Sequence, residues 1–105
     1  MTYRLFITPR AQREIQEFVE HLRAYSEGFA EEQLARLSFE VSTYVLQTPF
    51  LWNYFFLTGD PYHGYLFRIG QRHHYWVIYS IGETDRAVHV VRFWSANQDS
   101  ENFET

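Results

Sequence analysis

A chain of 105 residues with a net charge of −4 and a pI near 5.7 carries one domain's worth of sequence. With 46% apolar and 21% charged residues it is not a disordered chain, and with no cysteine it has no disulfide framework, thiolate zinc site or cysteine nucleophile. No apolar run is long enough to span a membrane, and the start Met1-Thr2-Tyr3-Arg4-Leu5 has no apolar leader, so a cytoplasmic location is expected.

In chain order, Tyr3 to Thr8 reads as a short strand with Tyr3, Leu5 and Ile7 on one face. Thr8-Pro9 then opens a helix, Thr8 capping the free amides and proline occupying the first turn. Ala11, Ile15, Phe18, Val19, Leu22 and Tyr25 recur at steps of three and four and form its apolar stripe, with Glu14, Glu17 and Glu20 assigned to the opposite face. Gly28 ends this helix or opens the next. The second helix carries Phe29, Leu34, Leu37, Val41, Tyr44 and Val45, and Pro49 stops it soon after Leu46. So short a join makes the two helices an antiparallel hairpin. Phe50 to Leu57 is a strand or an extended connection, and Gly59-Asp60-Pro61 is a turn. His63 to Ile69 and His74 to Ile81 form a hairpin around Gly70-Gln71-Arg72. A second turn at Gly82 to Asp85 leads to a last strand, Ala87 to Trp94, and from about residue 97 the chain is polar and expected to fray.

This order gives an α+β fold in one domain spanning 1–105: a strand, two helices, then an antiparallel sheet of three to four strands, with the helical hairpin packed on one sheet face. The charge divides along the chain. Residues 10–48 carry −3, residues 61–94 carry +2 together with four of the five histidines, and the tail from Ser95 carries −3. All nine basic residues are arginine. The open sheet face is therefore expected to carry most of the arginine, histidine and aromatic side chains of the second half.

Three segments carry a resemblance. Leu66-Phe67-Arg68-Ile69-Gly70 and Tyr75-Trp76-Val77-Ile78-Tyr79 resemble an Arg-hydrophobic-Gly turn followed by a Val-Ile-Tyr strand. Val90-Val91-Arg92-Phe93-Trp94-Ser95-Ala96-Asn97-Gln98-Asp99 resembles a closing motif of Arg, two hydrophobic residues, His, two small residues, Arg and Asp. In this order they are similar to the RelE/ParE superfamily of bacterial type II toxin–antitoxin toxins, on the ParE side. The resemblance implies a toxin that inhibits growth through a protein target such as DNA gyrase and is neutralised by a cognate antitoxin. It leaves two alternatives: a ribosome-dependent mRNA endoribonuclease of RelE type, or a degenerate toxin that survives as an interaction module. Ser95 stands at the motif's histidine and Gln98 at its second arginine. No cofactor, no metal, no membrane contact and no sequence-specific DNA binding by this chain are expected.

The residues that can carry chemistry are few. Arg68, Arg72 and Arg92 can grip a phosphate or carboxylate in bidentate fashion. His63, His73, His74 and His89 titrate near neutral pH and are the general acid or base candidates. Adjacent strand residues point to opposite faces, so at most one of His73 and His74 serves a given site. The catalytic candidates are Arg68, His73, His74 and Arg92. The target- or antitoxin-binding set is Arg68, Arg72, Trp76, Arg92, Trp94 and Asp99. Arg92 is expected to touch a target directly or to make an exposed pair with Asp99, and its loss then costs less than about 1 kcal/mol of stability. Pairing of Arg68 and Arg92 with helix glutamates is the structural alternative. Aromatics are 20% of the chain, more than one small core hides, which points to a partner covering some of them.

Overall fold

The computed structural model describes residues 3–57, 60–69 and 73–96 and has the expected α+β architecture. Strand β1 spans Arg4–Ile7, helix α1 Pro9–Arg23 and helix α2 Glu27–Glu40; strands β2 (Asn53–Leu57), β3 (Asp60–Ile69), β4 (His73–Gly82) and β5 (Ala87–Ser95) follow. The sheet order is β1-β5-β4-β3-β2. The last four strands form an antiparallel meander, while β1 lies parallel to β5, from Arg4 opposite Ala87 to Ile7 opposite Val90. The sheet is thus mixed. Parallel neighbours need a long connection, and here the helices and three strands intervene.

The helix starts follow from their caps. Thr8 Oγ1 accepts from the Ala11 N–H at 3.2 Å, with Pro9 in the first turn. Ser26 caps α2 by accepting from the Phe29 N–H at 3.2 Å, so Gly28 lies inside the second helix rather than ending the first. Helix α1 buries Ala11, Phe18, Val19 and Leu22. Tyr25 falls beyond its last turn and is 78% exposed, outside the expected stripe. Helix α2 touches the core through a narrow seam of Ala30, Gln33 and Leu37 and leaves Phe29 and Leu34 partly in solvent. A π-helical turn, Val41–Val45, then a 3-10 turn, Pro49–Leu51, bring the chain to β2. Asp60 and Pro61, expected in a turn, already belong to β3, opposite Leu57 and Phe56.

The core lies between the helices and one face of the sheet. Tyr65, Phe67 and Ile69 of β3, Val77 and Tyr79 of β4, and Val88, Val90 and Phe93 of β5 are buried there. Phe18 sits among the rings of Phe67, Tyr75 and Phe93, with centroids 6.4, 4.8 and 5.1 Å away. Tyr79 is fully buried and its hydroxyl donates to the Pro49 carbonyl at 2.5 Å. Several aromatics stay outside, including Phe6, Phe29, Phe39, Tyr44 and Phe50.

Candidate functional site on the helix-free face of the sheet

Alternation along β3, β4 and β5 sends every second side chain to the face that, among the described residues, carries no helix. Register places Arg68 opposite His74, Leu66 opposite Trp76, and Trp76 opposite Trp94. Gly64 faces Ile78, which faces Arg92. A second, smaller apolar cluster forms on this face from Ile78 and Trp94, with Tyr62, Trp76 and Val91 packed against it. Four of the expected site residues, Arg68, Trp76, Arg92 and Trp94, therefore share one surface with the candidate base His74. Arg72 and Asp99 lie outside the described residues.

Strand β5 reaches this arrangement through a bulge. Val88 and Val90 are core residues, so unbroken alternation would drive Arg92 into the core and Phe93 out of it. The pairing slips between Ile78 and Tyr79: Tyr79 faces Val90 and Ile78 faces Arg92, which leaves Val91 as the extra residue. Phe93 returns to the core, and Arg92 and Trp94 share the helix-free face.

Arg92 has a different environment from the exposed pair expected of it. Its side chain is 3% exposed. The guanidinium lies over the Trp94 ring, 4.4 Å from the centroid, and reaches around the sheet edge to α1. There Nε donates to Glu14 Oε1 at 3.1 Å and Oε2 at 3.0 Å, and Nη2 donates to Oε2 at 2.8 Å. Glu14 Oε1 also accepts from the Phe93 backbone N–H at 2.9 Å. The cause is the short first strand. β1 stops at Ile7, opposite Val90, so among the described residues the β5 edge beyond that point has no strand beside it. The Glu14 carboxylate takes that place. Glu14 thus faces the sheet edge, against its expected solvent-facing position. The pairing with a helix glutamate is the structural alternative for Arg92; Arg68, in contrast, has an exposed side chain.

The histidines separate. His74 is half-buried on the helix-free face, while His73 is exposed on the helix side at the hairpin end, so the two diverge as adjacent strand residues must. His63 lies on the helix side, stacked on Tyr79 at 5.7 Å and with Nδ1 3.2 Å from the Trp52 carbonyl oxygen. His89 shares the helix-free face but at its far end, stacked on Phe6 at 5.3 Å, with Nε2 3.2 Å from Asp85 Oδ2. Among the described histidines, His74 alone stands opposite Arg68. Among the described residues, no group of three or more His, Asp or Glu side chains is arranged to hold a metal ion.

A cleft of about 490 Å³ borders this surface at the β3 edge, between Arg36, Glu40, Tyr44, Trp52 and Arg68. Strand β2 covers β3 only as far as Gly64, and Arg36 closes part of the remaining edge by donating to the Arg68 carbonyl. Arg36 also donates to Glu40 at 2.8 Å and to Gln33 at 2.9 Å and lies over the Phe67 ring. The Tyr65 hydroxyl donates to Glu40 at 2.6 Å. Burial, and then this hydrogen bond, push the Tyr65 hydroxyl pKa well above its usual value. Residue-level reading of the sequence overlooked this group. The spacing of Arg36 and Glu40 was a visible signal, whereas the reach to Tyr65 and Arg68 depends on tertiary packing.

Comparison with known proteins finds no family model that matches this chain and no curated protein that matches it. The chemistry of the face is accordingly read from its residues. An exposed arginine beside a half-buried histidine and the half-buried Trp76 indole can bind an anionic group and stack on a planar one, while Trp94 is buried beneath the Arg92 guanidinium. Arginine with buried aromatics is also the composition of protein-binding surfaces.

Proposed function

We propose that this chain is the toxin of a type II toxin–antitoxin module of RelE/ParE type, acting on a protein target such as DNA gyrase and neutralised by a cognate antitoxin in the cytoplasm. The observation that carries the reading is that residues from all three resembling segments, Arg68, Trp76, Arg92 and Trp94, share one helix-free sheet face. The order of strand, helical hairpin and antiparallel strands agrees with it. A contact role suits the face better than catalysis, because the Arg92 guanidinium is already engaged by Glu14. Among the described residues, no helix is long and apolar enough to cross a membrane.

A second reading, messenger RNA cleavage, is favoured by one observation: Arg68 and His74 are direct cross-strand neighbours. Histidine would take the 2′-hydroxyl proton as the 2′-oxygen attacks phosphorus, and arginine would stabilise the phosphorane. The P–O5′ bond would break as the imidazolium or water returns a proton to the leaving 5′-oxygen. Two assays on purified protein separate these readings. The gyrase reading expects inhibited DNA supercoiling and intact ribosome-bound mRNA. The ribonuclease reading expects cleavage of ribosome-bound mRNA that is lost in His74→Ala but kept in His73→Ala. Inactivity in both assays, together with growth unaffected by expression, supports the interaction-module alternative.

A further inference from the structure

A second concavity lies on the other side of the sheet and takes no part in the surface described above. It is a cavity of about 280 Å³ beneath α2, walled by Leu37, Val41, Val77, Val90 and Phe93. Among the described residues, its sole polar wall residue is Ser38. The cavity exists because α2 meets the core through a narrow seam and the side chains below it, Val77 and Val90, are short. Leu5 and Leu34, respectively 36% and 41% exposed, stand at its mouth. Through Ile7, Ile15 and Leu34 it adjoins a shallower cleft that carries Gln12, Gln16, Glu20 and Arg23.

We propose that this cavity binds the alkyl chain of a small neutral amphiphile, with an uncharged hydrogen-bonding head in the adjoining polar cleft. Three features choose that occupant. Apolar walls hold water poorly, and wall atoms that face empty space lose their dispersion contacts, so an apolar guest is favoured over solvent. Size sets the length: at about 30 Å³ for each water-sized group, the cavity takes up to about nine such groups, a medium-length alkyl chain. Charge sets the head. Arg23 already pairs with Glu20 at 2.7 Å and Glu27 at 3.2 Å, so among the described residues the rim offers no spare positive charge for a carboxylate, while Gln16 offers a neutral amide. The proposal is independent of the toxin reading.

The experiment titrates the full chain with 1-octanol and, separately, octanoate, following side-chain methyl resonances. Octanol should shift the Leu37, Val41, Val77 and Val90 methyls saturably and raise the melting temperature, with octanoate weaker. Leu34→Trp, a change at a partly exposed position, should block the mouth and weaken octanol binding by about tenfold or more. Val41→Leu, which occupies cavity space, should weaken it without closing the mouth. Unmoved methyls in the unmodified protein would overturn the proposal, as would unchanged binding in both variants. Tighter binding of octanoate than octanol would overturn the assignment of a neutral head.

Discussion

Arg92 combines three interactions of different kinds: a charge pair with Glu14, a cation–π contact with Trp94, and a shared carboxylate that also holds the Phe93 N–H. Arg92 is buried but Glu14 is 20% exposed, so removing the arginine leaves a partly solvated charge and costs about 3 kcal/mol, the low end of the range for a buried pair. Arg92→Ala is therefore expected to lower unfolding free energy by about that amount in urea titrations, several times the figure for an exposed pair. A loss under about 1 kcal/mol would mean that the pair is not formed in solution. Loss of biological activity in this variant would consequently report on folding as much as on contact. Tyr79 gives a second test at this scale. Burial raises its pKa from the ordinary 10.0, and Tyr65 is raised by burial and then by Glu40. The folded chain keeps these protons where the unfolded chain releases them. Stability is thus held below about pH 10 and falls as pH rises beyond it. Tyr79→Phe should reduce that alkaline fall, while at neutral pH it loses about 1–2 kcal/mol with the hydrogen bond to Pro49. Unfolding curves between neutral pH and pH 11 check both signs.

At the scale of the elements, the local signals were reliable where the chemistry is local. Thr8 caps α1 and Ser26 caps α2 through side-chain bonds to residues three positions on, and Thr8-Pro9 was readable from two letters. Thr8→Ala should cost about 1 kcal/mol in thermal or urea unfolding, and an unchanged midpoint would contradict the cap. The strands were legible from their alternation and turn residues, with ends within a few positions. Three features were not legible, each for a physical reason. The parallel seat of β1 beside β5 depends on a contact more than eighty residues apart in sequence. The bulge at Val91 resolves a conflict within β5, whose sequence admits two alternations, and the choice is made by packing of Phe93 against Phe18. Glu14 looks like any solvent-facing helix glutamate until the shortness of β1 leaves an edge for it to cap. The divergence of His73 and His74, by contrast, needed only strand geometry.

For the whole molecule, the sheet separates two surfaces of different character. One is closed by the helices over a continuous apolar core; the other presents Arg68, His74 and Trp76 around a small apolar cluster of Ile78 and Trp94. The pair with Glu14 and the small cluster account for Arg92 and Trp94, whereas an exposed Arg68 opposite His74 and beside Trp76 is harder to explain by stability alone. That asymmetry is the basis for assigning the face to a target or a partner. Arg68 is the best probe of it, because its side chain is exposed and its removal leaves the core intact. The most direct measurement is bacterial growth after induced expression of the unmodified chain and of Arg68→Glu, with thermal melting of both purified proteins to confirm equal folding. The account predicts arrest by the unmodified chain and growth with Arg68→Glu at an unchanged melting temperature; undiminished growth with the folded, unmodified chain, or equal arrest by both, would contradict it.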